Sequence, residues 1–213
     1  MLLVLLLIST ISITFLQFYS IGKISPGIKI AGFDVSNKTK DQALQILQKN
    51  INPKEYIYLT EKNKKYEIKL KDINFSYDLE KTIQKAYYDT RTGNFFYDLC
   101  RKINILFQKK NLGLEIIIDE TILKKEIQEL GKSIEIKPVK PSVSLLNSSI
   151  NVQEGIKGKV IDYLKLRADI GKNLAFLEEY DLEIPLRQEG TTLNTIEIQI
   201  ARERASKIIG KNI

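Results

Sequence analysis

Apolar residues recur along this chain with two different periods, which predict an α+β protein. Runs that alternate every second residue are typical of strands, and they are separated by segments in which apolar residues recur every three or four positions, as on one face of a helix. Thr39 and Gln42 form a capping-box pattern before one such helix, and Asp78 is a good N-cap for another. The sequence therefore predicts capped helices that alternate with strands.

The same order of elements occurs twice, which predicts a duplicated strand-helix-hairpin-helix unit. Residues 23–110 form the first α+β unit, and they include an additional amphipathic helix near residues 96–107. Residues 111–190 repeat the order as a second unit. We interpret residues 191–213 as a C-terminal amphipathic helix, where a further domain would begin.

The first 22 residues are the most apolar part of the chain, and no charged side chain occurs before Lys23. A helix of about 20 apolar residues is long enough to cross a bilayer core. A cleaved signal peptide is the alternative, but the segment lacks a basic start and a small-residue cleavage site. We therefore expect a single transmembrane helix at residues 1–22, with the rest of the chain outside the cytoplasm.

Composition excludes several kinds of catalytic chemistry. The chain has no histidine and a single cysteine, Cys100, so it has no imidazole base, no His/Cys metal cluster and no intrachain disulfide. Apolar neighbours at helical spacing predict that Cys100 is buried as a small hydrophobic residue. Asp78 and Asp162 are each explained as helix N-caps rather than as a catalytic pair. We therefore predict no catalytic residue, no metal and no cofactor.

The net charge of +7 comes mostly from lysines that are scattered among glutamates. Nucleic-acid-binding proteins concentrate their basic residues on one element, so this pattern favours a solvated surface and no nucleic-acid partner. A basic surface can nevertheless attract an anionic polymer over long distances.

Four short motifs occur in order along the chain: ISPGIKIAGFDVSNKT at 24–39, AYYDTRTG at 86–93, GKVID at 158–162 and IPL at 184–186. Together they resemble the peptidoglycan-binding domains of VanW/YoaR-type proteins, which also precede the catalytic domain of some L,D-transpeptidases of Gram-positive bacteria. One departure is Thr90, where those proteins have glycine. The resemblance covers roughly residues 24–195.

The resemblance implies a membrane-anchored, non-catalytic module of the cell envelope that binds peptidoglycan or another anionic wall polymer. Two alternatives remain open. The chain could be the N-terminal accessory part of a VanW-type or L,D-transpeptidase enzyme, although transpeptidase Cys-His chemistry requires a histidine that this chain lacks. It could also bind other envelope proteins through its sheet edges or through the helix near residues 96–107.

Arg91, with Tyr87 and Tyr88, is the predicted ligand-binding group, because a guanidinium can bind a stem-peptide carboxylate with two parallel hydrogen bonds. The structural alternative is that Arg91 binds the unpaired carbonyls at the end of a helix. The remaining motif residues are interpreted as structural, because glycines permit unusual backbone angles, proline fixes a strand entry and aspartate caps a helix. They are Pro26, Gly27, Gly32, Gly93, Gly158 and Asp162.

Overall fold

The computed structural model of the protein describes residues 21–146 and 149–209, and these residues form a mixed α+β fold. The helices in these ranges are α1 (Lys40–Asn50), α2 (Leu79–Tyr88), α3 (Phe95–Gln108), α4 (Glu120–Ile134), α5 (Tyr163–Ala175) and α6 (Thr195–Ile209). The strands are β1 (Ile28–Ile30), β2 (Phe33–Asp34), β3 (Tyr56–Glu61), β4 (Lys64–Lys69), β5 (Ser76–Asp78), β6 (Lys110–Leu112), β7 (Glu115–Ile117), β8 (Ser142–Leu146), β9 (Ser149–Gln153), β10 (Gly158–Ile161), β11 (Leu182–Glu183) and β12 (Leu186–Glu189).

The residues fall into two compact units whose segments alternate along the chain. The first unit comprises the described residues up to Tyr58, Glu67–Glu120 and Asp169–Asp181, and the second comprises Leu59–Tyr66, Thr121–Ala168 and the described residues from Leu182 onward. The predicted division into domains at residues 22, 110 and 190 stays a prediction.

The first unit is built on a three-stranded sheet of order β2-β1-β6. Strand β1 is antiparallel to β2 and parallel to β6, with Ile30 opposite Leu112. Side chains of β1, β6, α1 and α2 share one apolar core, to which α3 contributes Ile105. The buried members are Ile24, Ile28, Ile30, Val35, Ala43, Leu47, Ile83, Ala86, Ile105, Leu112 and Leu114.

Two two-stranded sheets lie among the described residues of the second unit. Strands β8 and β9 form an antiparallel hairpin, and β10 is antiparallel to β12, with Ile161 opposite Leu186. Within the sheet of order β11-β3-β4, β11 is parallel to β3, with Leu182 opposite Leu59.

The structure confirms the predicted helix caps. The Gln42 amide donates to Thr39 Oγ1 at 3.3 Å, and the Thr39 amide donates to Gln42 Oε1 at 3.1 Å, which is the predicted capping box. The Lys81 amide donates to the Asp78 carboxylate at 2.8 Å, so Asp78 caps α2. The predicted additional amphipathic helix is also present, as α3.

The predicted fold class, a transmembrane helix followed by a duplicated unit, is wrong. Residues 1–20 of the predicted transmembrane segment lie outside the described residues, and Ile21 and Gly22 form a turn. Within residues 21–146 and 149–209, no helix combines the length and the apolar character that crossing a membrane requires.

The strands also do not pair as a duplication requires. Strand β1 lies between β2 and β6, whereas β7, its counterpart in the predicted second unit, pairs with β5. The hairpin β3-β4 is extended by β11, whereas β8-β9 forms a two-stranded sheet. An apolar period specifies which face of a strand is buried but not its partner, so the repeated order of elements did not produce repeated pairing.

Cys100 is exposed, so its predicted burial is wrong. The buried residues of α3 are Asp98 and Ile105. Phe96 and Phe107, in contrast, are 77% and 80% exposed. The apolar neighbours of Cys100 correctly indicate the apolar face of the helix, but that face points toward solvent.

Gly27 and Gly32 offer a matched test of the packing of α3 against the sheet. Both have positive φ, +84° and +88°. A Cβ at Gly27 would overlap the Ile105 carbonyl oxygen, whereas a Cβ at Gly32 would meet nothing within 4 Å.

We expect Gly32→Ala to lower the free energy of unfolding by about 1–2 kcal/mol, because an L residue is strained at positive φ. Gly27→Ala should cause a larger loss, because the same strain is joined by the overlap with Ile105. Urea unfolding of both variants measures the difference. Equal losses would show that α3 does not pack on Gly27.

Candidate functional site

The first unit contains an open cleft of about 920 Å³. Its walls come from the end of α1 and the segment after it, the start of β3, the turn between β4 and β5, and the start of α2. The lining residues are Gln48, Ile51, residues 53–56, residues 69–72, residues 75–77 and Leu79.

The turn between β4 and β5 forms one wall of the cleft. The Leu70 amide donates to the Glu55 carbonyl at 2.9 Å, which fixes the turn against the start of β3. The side chains of Leu70 and Ile73 are buried, so they fix the turn to the interior of the protein. Lys69 and Lys71 are left exposed on either side of Leu70.

Aromatic rings provide the apolar surface of the cleft. Phe75 and Tyr77 pack edge to face, with their ring centroids 4.8 Å apart. The Tyr77 hydroxyl donates to the Leu174 carbonyl at 3.4 Å. Burial raises the pKa of Tyr77 to about 12, so this hydroxyl is neutral at pH 7. Tyr56, on the opposite wall, stacks with Tyr58 at a centroid distance of 6.3 Å.

Three lysines line the cleft, and they differ in their surroundings. Lys54 Nζ donates to Asn173 Oδ1 at 3.2 Å and also to the Glu178 carbonyl. Burial lowers the pKa of the Lys54 ammonium. Lys69 and Lys71 are exposed, and neither forms a salt bridge within the part of the chain that the structure describes. These two ammonium groups are therefore accessible to an anionic ligand.

The predicted ligand-binding residues lie together at the end of α2, and none of them lines the cleft. The Arg91 guanidinium carbon lies 4.0 Å from the centroid of the Tyr87 ring. Tyr87 and Tyr88 pack edge to face at 5.2 Å. Lys40 Nζ lies over the same two rings, 4.4 and 5.1 Å from their centroids.

The Arg91 guanidinium makes two bonds to the backbone. Nη1 donates to the Tyr87 carbonyl at 2.5 Å, and Nη2 donates to the Lys23 carbonyl at 2.6 Å. The last four carbonyls of a helix, Tyr87 among them, have no partner inside it, so the bond to Tyr87 is the contact that the structural alternative requires. Burial lowers the pKa of Arg91, but a guanidinium stays charged at pH 7. Ligand binding by Arg91, Tyr87 and Tyr88 stays a prediction.

The loop after α2 contacts α3, β6 and the segment before β1. The Asp89 carboxylate is only 8% exposed, and it accepts from Arg101 of α3 at 2.9 Å and from Lys110 of β6 at 2.6 Å. Thr90 Oγ1 lies 2.5 Å from Ser25 Oγ in a buried pair. Thr90, which replaces a glycine of the resembling proteins, therefore has a buried partner of its own.

Asp98 holds the end of this loop. Its carboxylate accepts from the Thr92 amide at 2.9 Å, the Thr92 hydroxyl at 2.8 Å and the Gly93 amide at 3.2 Å. These bonds, the one from the Thr92 amide foremost, hold the pKa of Asp98 below its usual value. Gly93 has φ +93°, which an L residue rarely adopts.

The other predicted structural residues lie at turns and at the starts of elements. Pro26 is in the turn before β1. Gly158 begins β10, where a Cβ would overlap the Ile136 carbonyl oxygen. Asp162 precedes α5 and accepts from the Lys165 amide at 3.1 Å.

Comparison with known families identifies the class of the protein. Residues 66–183 match the family described as "Putative peptidoglycan binding domain". The match spans more than half of the chain, which therefore belongs to this family. Membership indicates a role in binding the cell wall, and it confirms the resemblance at the level of the peptidoglycan-binding domain. No curated protein and no solved structure shows significant similarity to the chain.

The bonds to Asp98 predict a pH dependence of stability. The pKa of Asp98 is lower in the folded protein than the ordinary value of 3.8, so its contribution to stability is complete above that value and is lost as the pH falls through the folded pKa. We expect Asp98→Asn to be less stable than the wild type at pH 7, with a difference that narrows in acid. Urea unfolding from about pH 6 to about pH 2 measures it, and a difference that widens in acid would contradict this assignment.

Arg91→Lys tests the structural contacts of Arg91. We expect it to lower the free energy of unfolding by about 1–2 kcal/mol, because one ammonium cannot reproduce the fork that reaches two carbonyls. Arg202→Lys, at an exposed position of α6, is the matched control and should change stability by less than about 0.5 kcal/mol. Chemical denaturation compares them, and equal effects would exclude the capping role. Loss of wall binding by the folded Arg91→Lys variant would support its predicted ligand role.

Proposed function

We propose that this protein binds peptidoglycan, or a related anionic wall polymer, through the cleft of the first unit. We also propose that it does so outside the cytoplasm and catalyses no reaction on the polymer. Family membership supports the class of ligand. We choose this site because one open cleft combines aromatic rings with exposed lysines.

The chemistry of the ligand fits this combination. Peptidoglycan consists of sugar rings with apolar faces and of short peptides with carboxylates. Phe75 and Tyr56 offer flat apolar surface that can cover a sugar ring at a small cost in side-chain entropy. Lys69 and Lys71 are placed to form charge-assisted hydrogen bonds with peptide carboxylates.

The position of the family match also supports this site. The matched residues, 66–183, include the cleft wall that carries Lys69, Lys71, Phe75 and Tyr77. Both exposed lysines and Phe75 therefore belong to the part of the chain that matches the family, whereas Tyr56 precedes it.

Two features support binding without catalysis. The chain has no histidine to act as a base near neutral pH. The carboxylates in the cleft, Glu55 and Asp72, are both exposed, whereas catalytic acids generally work in a site that excludes water. Release of soluble fragments from purified sacculi by the protein would contradict a purely binding function.

The lysines provide the test of the site. We expect Lys69→Gln/Lys71→Gln to weaken binding to purified sacculi by about tenfold or more, because two charge-assisted contacts are lost. The control is Lys64→Gln/Lys81→Gln, which removes the same net charge from exposed lysines outside the cleft. Cosedimentation with sacculi, with and without teichoic acid, measures the affinities.

A salt series separates a defined site from general attraction between a basic protein and an acidic polymer. Exposed charges interact over only about 3 Å at 1 M salt, whereas aromatic contacts are not screened. We therefore expect wild-type binding to persist in part at 1 M salt. Equal weakening by the two double variants, together with complete loss at 1 M salt, would contradict binding through the cleft.

A further inference from the structure

Helix α3 exposes its apolar side chains to solvent. At 3.6 residues per turn, Phe96, Ile103 and Phe107 fall on one face of the helix, and they are 77%, 39% and 80% exposed. Phe95 and Leu106 widen the same face and are 55% and 42% exposed. A contiguous exposed patch of large apolar side chains is typical of a surface that binds a protein, a membrane or a ligand.

The opposite face of α3 packs against the rest of the first unit, and this buried face is unusually polar. Asp98 and Ile105 are its buried residues, and the Asp98 carboxylate is bound by the loop after α2. Arg101 is bound to Asp89 of the same loop. A surface helix normally buries its apolar stripe, and α3 does the reverse.

The charges around α3 favour an anionic surface as the occupant of this face. Four basic residues lie in or directly after the helix, whereas its acidic residue, Asp98, is buried. Lys109 is exposed, and Arg101 and Lys110 share the single carboxylate of Asp89, so the surface beside the apolar groups keeps a net positive charge. The basic residues are Arg101, Lys102, Lys109 and Lys110.

A groove of about 440 Å³ runs beside the apolar face. Arg101, Lys109 and Lys110 line it, together with the amide of Asn104. Lys109 and the Asn104 amide can donate hydrogen bonds to phosphate oxygens, and Arg101 and Lys110, which share Asp89, add positive charge beside them. Cys100 also lines the groove, which places the cations next to the apolar side chains.

We propose that α3 is an interfacial helix that binds the surface of an anionic phospholipid membrane. Its apolar face enters the boundary between headgroups and acyl chains, and the cations of the groove bind the headgroup phosphates. The inference is independent of the proposed wall binding, because the groove and the cleft share no residue.

Cys100 provides a local probe of this contact, because it is the only cysteine of the chain and is exposed. The full-length protein is treated with a polar maleimide alone, with phosphatidylglycerol vesicles and with phosphatidylcholine vesicles. We expect the anionic vesicles to slow labelling by about tenfold or more, and the zwitterionic vesicles to slow it much less. Protection at Cys100 reports α3 itself, whatever other part of the chain contacts the vesicle.

The control substitutions are made at exposed side chains, so we expect these variants to fold like the wild type. Phe96→Ser/Phe107→Ser should remove most of the protection, whereas Leu164→Ser, at a position 78% exposed on α5, should not. Lys109→Gln should reduce the preference for phosphatidylglycerol. Sacculus binding by the double phenylalanine variant should stay unchanged, so a failure of either proposal can be recognised separately.

Three results would overturn the proposal. The first is equal protection of Cys100 in the wild type and in the double phenylalanine variant. The second is equal protection by the two kinds of vesicle. The third is protection that appears without vesicles and increases with protein concentration, which would identify a second copy of this chain as the occupant of the apolar face.

Discussion

The carboxylate of Asp89 is almost completely buried, and it binds Arg101 of α3 and Lys110 of β6 together. A buried charge is costly unless it is paired, so both partners must be in place when the first unit forms. Asp98 adds a second requirement, because its carboxylate satisfies the amides of Thr92 and Gly93 in the same loop. These polar contacts fix the orientation of α3, and its apolar face is consequently left outside.

The first unit therefore presents two surfaces with different chemistry. The cleft combines aromatic rings with exposed lysines on a wall formed by the turn between β4 and β5. Helix α3 combines a wide apolar face with cations in a neighbouring groove. A polymer of sugars and acidic peptides suits the first surface, and an anionic lipid surface suits the second. The proposed wall binding and the proposed membrane binding therefore use separate surfaces of one unit.

Sequence reasoning selected Arg91 because a short motif surrounds it, but the structure shows its guanidinium bound to the carbonyls of Tyr87 and Lys23. The cleft was missed because its walls come from segments that are separate in the sequence. One signal was visible in advance: two lysines flank Leu70 at the end of a predicted strand, a few residues before Phe75 and Tyr77. The pairing of β3 with β4 and the bond between the Leu70 amide and the Glu55 carbonyl bring this turn to the start of β3.

The sequence by itself determined the local elements and the family, because helix caps such as Thr39 and Asp78, the period of apolar residues and short motifs are properties of neighbouring positions. The tertiary structure decided which strands pair and which face of α3 is buried. Strand pairing depends on partners far apart in the chain, as β1 and β6 show. The exposure of Cys100 has the same origin: the helical period indicates an apolar face, but the buried contacts of Asp89 and Asp98 decide that this face meets solvent.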